Sequence, residues 1–358
     1  MTFEEARAQF PVFERYAYLN AGTNGPLARA TVDAMLAQER ADLELGRGGP
    51  VYFERALELR ELVRGKLAAA VAVEAENLSL STSTTNGCNI VLAGLGLGPE
   101  DEVVTTNGEH FGLLGALAVS TARVRVAPVR ELAPEESFEA LRREVTPRTR
   151  LFALSHVCWM TGNRVPVEAL REATGQPVLV DGAQSVGAIP VDAAAVDYYA
   201  FSCQKWLCGP DATGGLVVRE PDSLPVATPS YLSQAGYEPT GAFTPRPGAA
   251  RYDSNWTPVP SLAGLEASLD LVPEWRFERA AEAAAHCHEL LAERFEVVTA
   301  PAQGTLVTFR VEGDSAELVR RLYEQGVIVR DVPGTGWLRV SCGWWTSDED
   351  LERLVSAI

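Results

Sequence analysis

Short apolar runs that end in small polar or charged residues recur along most of this chain, and helical patterns separate them. Six of these runs are predicted to be strands: LSLSTST, DEVVTT, TRLFALSHV, PVLVDGAQS, DYYAFSC and GGLVVRE. They lack the strict apolar–polar alternation of a sheet with one wet face, so they suit strands that are covered on both faces. The pattern predicts an α/β fold around a mainly parallel sheet, with helices such as TNGCNIVLAGL and VEALREAT as connections.

The chain has 358 residues, more than one hydrophobic core usually holds, so we expect a large and a small domain. Residues 28–70 are predicted to be mostly helical. Residues 221–247 are rich in Pro, Gly, Ser and Tyr and are predicted to be loop. After them come two predicted helices, LAGLEASLDLV and ERAAEAAAHCHELLAERF, four predicted strands, EVVTA, GTLVTFRV, GVIVRDV and LRVSCGW, and a closing helix, DEDLERLVSAI. We expect residues 21–250 to form the large domain, and residues 1–20 and 251–358 a small α+β domain.

Charge and composition exclude several classes of function. The net charge of −17 argues against nucleic-acid binding, which needs a basic surface. The acidic N-terminus does not resemble a signal peptide, and no apolar stretch is long enough to span a membrane, so we expect a cytoplasmic protein. The six cysteines are scattered without metal-ligand spacing. They predict small buried side chains and no metal site.

Lys205 follows the predicted strand DYYAFSC, and Asp181 ends the predicted strand PVLVD. The ends of parallel strands meet at one sheet edge, where α/β proteins bind ligands. A partly buried lysine has a lowered pKa and can form a Schiff base. An acidic partner for a pyridinium nitrogen is what pyridoxal 5′-phosphate (PLP) requires, and Gln184 could reach the ring hydroxyl. Taken alone, Lys205 could equally be a surface lysine, and Asp181 a turn or helix cap.

A candidate phosphate site lies in STSTTNG, residues 81–87, where a predicted strand passes into a predicted helix. Hydroxyl groups and backbone N–H groups at a helix N-terminus can hold an anion, although the same sequence is also a common helix cap. GLGLG, residues 94–98, imitates a dinucleotide-binding motif but follows a helix, so it is predicted to be a turn.

The order of motifs resembles the class V, cysteine-desulfurase-like branch of the PLP-dependent aminotransferase-fold enzymes. The motifs are YLNAGTNGP, STTNGCN, GEH, SHVCWMTG, VDGAQS, FSCQKWLCGP, SNWTPVPSLAGL and LRVSCGWW, and they cover nearly the whole chain. The resemblance implies fold type I with a seven-stranded, mainly parallel sheet and PLP as cofactor. It implies that Lys205 is the Schiff-base lysine and the catalytic base, that Asp181 is the partner of the pyridine nitrogen, and that His110 stacks on the ring. The remaining cofactor contacts that it implies are Gln184 at the ring hydroxyl and Thr84, Thr85, Ser202 and Gln204 at the phosphate.

The same resemblance implies a homodimer that acts on a small amino acid. Thr257, in NWTP, resembles a threonine that reaches the phosphate in the neighbouring subunit. Arg339 resembles the arginine that binds the substrate carboxylate, and Asn20, Trp159 and Arg330 are assigned to the substrate with it. The family usually has His where this chain has Gln204, whose amide can still donate to a phosphate.

Four reactions compete for this chain. A desulfurase needs a mobile cysteine before the carboxylate-binding arginine, but residues 330–339 read RDVPGTGWLR and contain none. The SHV-x-W-x-TG signature around Trp159 looks like the C–S lyase subgroup, including cyst(e)ine lyases and the lyase of ergothioneine synthesis, so α,β-elimination from a cysteine derivative is our leading hypothesis. Transamination is the alternative. Epimerisation, as in isopenicillin N epimerase-like members, needs a second proton donor, and no residue in the sequence identifies itself as that donor. A non-enzymatic module of this fold would need a lost lysine or an added DNA-binding region, and the sequence shows neither.

Overall fold

The computed structural model describes residues 1–358 and has an α/β architecture. Its α-helices are α1 (Phe3–Arg7), α2 (Arg29–Leu45), α3 (Pro50–Ala70), α4 (Thr84–Leu95), α5 (Phe111–Val119), α6 (Pro134–Arg143), α7 (Val167–Thr174), α8 (Val259–Leu271), α9 (Arg276–Ala292), α10 (Ser315–Glu324) and α11 (Asp348–Ala357). Its strands are β1 (Ala17–Tyr18), β2 (Leu78–Ser81), β3 (Glu102–Thr106), β4 (Arg123–Ala127), β5 (Thr149–Ser155), β6 (Val178–Asp181), β7 (Tyr198–Ser202), β8 (Gly214–Val218), β9 (Leu306–Arg310), β10 (Val327–Ile328), β11 (Arg330–Val332) and β12 (Trp337–Ser341).

The main sheet has seven strands in the order β2-β8-β7-β6-β5-β3-β4. Only β8 runs antiparallel to its neighbours, β2 and β7. The predicted mainly parallel seven-stranded sheet is therefore confirmed. Since β5, β6 and β7 are adjacent and parallel, their carboxyl ends lie side by side at one edge.

Both faces of this sheet are buried, which is why its strands carry almost continuous apolar runs. One face packs against α3, α6, α7 and α8, and the other against α4 and α5. A separate core joins α9, α10 and α11 to the three-stranded antiparallel sheet β11-β12-β9 and to the pair β1-β10. The N-terminal segment thus enters the smaller core, because β1 pairs with β10 from the other end of the chain.

The structure corrects the sequence prediction in the large sheet and the helices before it. Strand β4 was not predicted, because RVRVA alternates charged and apolar residues at an exposed edge rather than forming a buried run. The helical stretch 28–70 is two helices, since the glycine-rich segment between Leu45 and Pro50 interrupts it.

The small core also differs from the sequence prediction. EVVTA forms one isolated bridge, from Val297 to Phe309, rather than a strand. GVIVRDV splits into β10 and β11, which belong to different sheets. Helix α8 shares the core of the large sheet through Leu262 and Leu265, although the sequence placed it in the small domain; the division at residue 250 stays a prediction. Crossing a bilayer would take a longer and more apolar helix than any in this fold.

Candidate active site

A cavity of about 240 Å³ lies at the edge where β6 and β7 end. It brings together most of the residues that the sequence singled out, from segments far apart in the chain. Its lining consists of Gly22, Thr23, Ser83, Thr84, Thr85, His110, Trp159, Asp181, Ala183, Gln184, Ser202, Gln204, Lys205, Arg330 and Arg339. Asn20 and Thr257 are the two predicted site residues that do not line it.

Lys205 is one of only two lysines in the chain, and it lies three residues after β7. Burial lowers the pKa of its amine to about 8; nearby Asp181 opposes this shift, and Arg339 and Arg330 add to it. A substantial fraction of the amine is therefore neutral near pH 8, as a nucleophile or a base requires.

Asp181 ends β6 and is buried. Burial raises the pKa of its carboxyl group, while a hydrogen bond from the Ala183 N–H to Oδ1 (3.0 Å), Lys205 and His110 act in the opposite direction. A buried carboxylate without a full set of donors favours a cationic partner. The protonated ring nitrogen of PLP is such a partner.

The start of α4 forms a pocket for an anion. Thr84 donates its backbone N–H to Ser202 Oγ (2.9 Å), and the two hydroxyl groups are 2.8 Å apart. Thr85 and the Gln204 side chain line the same wall, and Gln204 Oε1 is buried without a hydrogen-bond partner. Hydroxyls, amides and the positive end of a 12-residue helix suit a phosphate group. The donors present therefore fit the phosphate of PLP.

His110 is the N-cap of α5, and its Nδ1 accepts the Gly112 N–H (3.1 Å). Burial lowers the pKa of this imidazole, and the nearby Lys205 lowers it further. The ring is therefore neutral near pH 7, with its proton on Nε2. It meets the Trp159 ring edge to face, with the centroids 5.4 Å apart.

Arg330 and Arg339 lie directly opposite each other on β11 and β12. Neither guanidinium is paired with a carboxylate: both reach Thr23 Oγ1 at 3.4 Å, and Arg339 Nη1 also donates to the Trp159 carbonyl at 2.8 Å. Arg339 is fully buried, its Nε has no partner, and burial followed by Arg330 lowers its pKa to about 9. Like charges placed opposite each other are unfavourable unless an anion joins them. The pair is therefore a candidate site for an anionic group.

The two predicted residues outside the lining differ in their distance from the cavity. Asn20 Oδ1 accepts a hydrogen bond from Thr23 Oγ1 (2.9 Å), so it orients a residue that lines the cavity. Thr257 is buried just before α8 and lines no part of the same chain's cavity.

Gln184, which lines the cavity, is held by two hydrogen bonds. Its Nε2 donates to the Gly22 carbonyl (2.8 Å), and its Oε1 accepts the Trp206 indole N–H (3.0 Å).

Sequence reasoning missed two residues of the site. Thr23, which contacts both arginines, lies in the middle of the glycine-rich turn motif NAGTNGP, and this motif was the available signal. Glu109, in the motif GEH, is buried directly before the cavity residue His110. An acidic residue three positions after an apolar strand was the available signal there.

None of the six cysteines lines the cavity, and all of them are buried. Cys158 is the neighbour of Trp159, but its Sγ points toward the Gly108 carbonyl at 3.5 Å. Cys342 belongs to the core of the small sheet. The cavity therefore holds one amine, two arginines and an acid, without a thiol.

The fold and the cavity together define a PLP-dependent enzyme of fold type I. The chain belongs to the class V aminotransferase family, whose sequence profile, "Aminotransferase class-V", matches residues 17–354. The predicted cofactor, family and fold class are confirmed.

Three known proteins illustrate the range of this similarity. The cystine C–S lyase C-DES, solved in complex with its reaction product cysteine persulfide, superposes with a TM-score of 0.91 at 28% identity, over 97% of this chain and 98% of that one. Isopenicillin N epimerase of Amycolatopsis lactamdurans is 31% identical, over 99% of this chain and 97% of its own length. Cysteine desulfurase of Salmonella agona (strain SL483) is 27% identical, over 100% and 98%.

Proposed function

We propose that this enzyme is a C–S lyase that performs α,β-elimination on a cysteine derivative. The observation that carries the proposal is the composition of the cavity: Lys205 and two arginines without a carboxylate partner, and no thiol that could take up sulfur. Elimination needs a base and a leaving group on Cβ, but no protein thiol. The similarity to a cystine C–S lyase over nearly the whole chain supports the same assignment.

Lys205 would hold PLP and, once the substrate amine replaces it, would act as the base at Cα. Bound PLP supplies an electron sink that lowers the barrier to removing the Cα proton. Asp181 would face the ring nitrogen and keep it protonated, and His110, as a neutral imidazole, would cover the ring without adding charge. Thr84, Thr85, Ser202 and Gln204 would hold the phosphate, and Gln184 would contact the ring hydroxyl.

Arg339 would bind the α-carboxylate of the substrate through its unpaired guanidinium edge. Gly22 leaves room for this, because a Cβ atom there would lie 2.8 Å from Arg339 Nη2. Arg330 would bind a second anionic end of the substrate, and Trp159, whose ring lies 5.3 Å from Arg330 Cζ and 5.9 Å from Arg339 Cζ, would fix the distance between them. A substrate with two carboxylates, such as cystine, satisfies both arginines.

The test is to incubate the holoenzyme with cystine and with S-substituted cysteines, while pyruvate, ammonia, keto acid and sulfur products are measured in parallel. Elimination predicts pyruvate and ammonia in equal amounts, and Lys205→Ala should abolish both. Slow formation of pyridoxamine phosphate with a substrate-derived keto acid would make the enzyme an aminotransferase instead. Inversion at Cα without loss of the side chain would make it an epimerase.

We also propose a cytoplasmic homodimer with composite active sites, in which Thr257 reaches the neighbouring subunit's phosphate. Exposed apolar side chains on α2, α3 and α5 support a second copy as the partner, and one of them, Phe111, directly follows the cavity residue His110. They are Val32, Leu36, Leu43, Leu45, Val51, Phe53, Leu57, Leu62, Phe111, Leu114 and Val119. Light scattering should give the dimer mass, and Thr257→Ala should weaken PLP retention; a fully active monomer would refute this assembly.

A further inference from the structure

Glu109 is a fully buried carboxyl group that the proposed elimination does not use. It follows β3 and precedes His110, so it lies between a sheet strand and a residue of the cavity wall. Its Oε1 accepts a hydrogen bond from Thr106 Oγ1 (2.5 Å). Its Oε2 accepts two, from the N–H (2.9 Å) and the Oγ (2.5 Å) of Ser155. These three bonds tie the carboxyl ends of β3 and β5 together.

Ser155 is the register partner of Asp181 in the ladder between β5 and β6. Side chains of register partners on adjacent strands point to the same face, about 5 Å apart. The bond from Ser155 to Glu109 therefore brings a second carboxyl group close to Asp181, and this second group does not line the cavity. Like charges placed this close in a dry environment influence each other strongly.

The titratable groups packed around Glu109 are Asp181 from β6, Cys88 from α4 and Cys158 from the loop after β5. No lysine or arginine forms an ion pair with it; Arg130 contacts this loop through its methylene groups beside Gly108 and its backbone N–H to Asn107 Oδ1 (2.8 Å), while its guanidinium pairs with Glu131. Burial raises the pKa of Glu109 to about 7, and Asp181 adds to the shift, whereas Ser155 and Thr106 oppose it. Glu109 can therefore change its charge in the neutral pH range.

We propose that Glu109 is a positioning residue that acts through Asp181 and His110, by placing a buried negative charge next to the residues of the cofactor site. When ionised, it would stabilise positive charge in the cavity, above all on the nitrogen of Lys205. When protonated, it withdraws that support while keeping the ends of β3 and β5 joined. This inference rests on the proposed roles of Asp181 and Lys205.

The test is a pH titration of the visible absorption band of the lysine-bound cofactor in wild type and in Glu109→Gln, which keeps the size of the side chain but removes its charge. In Glu109→Gln the midpoint of this titration should lie about one pH unit below that of wild type, which is a tenfold change in the proton dissociation constant. A shift of this size is expected when a buried negative charge close to the titrating group is lost. Glu102→Gln is the matched control. Glu102 is buried at the other end of β3, bonded to Thr146 and Arg148, and its loss should lower thermal stability without moving the midpoint.

An unchanged midpoint in a folded Glu109→Gln protein would overturn the inference and leave Glu109 a structural brace. If that variant does not fold, carboxyl NMR of wild type labelled at glutamate decides: one resonance should titrate near pH 7, and titration of every glutamate below pH 5 would refute the inference. A wild type without a visible band would instead refute the proposed function itself, so the two failures are distinguishable.

Discussion

Replacing Lys205 by methionine should stabilise the protein without cofactor at pH 7, although it removes the proposed catalytic base. Burial lowers the pKa of Lys205 from 10.5 to about 8, so the unfolded chain binds this proton more tightly than the folded chain. That difference corresponds to about 3 kcal/mol of stability that is missing below pH 8 and recovered as the pH rises toward 10.5. Methionine has a similar shape and carries no charge, so it avoids the unfavourable burial.

The assay is urea unfolding of the two apoproteins at pH 7 and pH 10, after removal of PLP. The Lys205→Met protein should be more stable than wild type by up to about 3 kcal/mol at pH 7, and the difference should shrink strongly by pH 10. Lys66→Met is the control. Lys66 pairs with Glu266 (2.6 Å) and Asp270 (2.5 Å), so its loss should destabilise the protein slightly, by about 1 kcal/mol or less. Equal or lower stability of Lys205→Met at pH 7 would refute the assigned burial of this amine.

Three further substitutions test the proposed substrate and cofactor contacts. Arg339→Lys should lower kcat/KM for cystine about 10- to 100-fold, since a charged hydrogen bond contributes about 1.5–3 kcal/mol, and an unchanged value would exclude Arg339 as the carboxylate ligand. Asp181→Asn should leave the unfolding curve near that of wild type while lowering turnover by at least about 100-fold; full turnover would remove its cofactor role. Cys342→Ala should keep turnover and cost about 1–2 kcal/mol of stability through a small core cavity, whereas complete inactivation would revive the desulfurase hypothesis.

The main sheet could be predicted because a strand that is buried on both faces has a short continuous apolar run in its own sequence. The same reasoning placed Asp181 and Lys205 at one edge, since parallel strands end together. It failed for β4, whose arginines keep an exposed edge soluble. It also failed for residues 326–332, because the choice between two sheets depends on pairing with distant β1 and β12.

Individual residues of the candidate site could be predicted only where they belong to a recognisable sequence motif. Arg330 and Arg339 were both singled out, but their opposition depends on the register of an antiparallel pair, which no local pattern specifies. The position of Glu109 could not be predicted, because it depends on a hydrogen bond to Ser155, 46 residues away, which brings Glu109 beside Asp181. Such contacts are a property of the folded chain and not of its segments.

Reduction of the holoenzyme with borohydride tests the central claim most directly, because it would lock the cofactor onto the lysine that holds it. Digestion and mass spectrometry then need to separate only two candidates, Lys66 and Lys205. The proposed chemistry predicts a phosphopyridoxyl group on the peptide that contains Lys205, and an unmodified Lys66. An unmodified Lys205 in protein that contains PLP would contradict it.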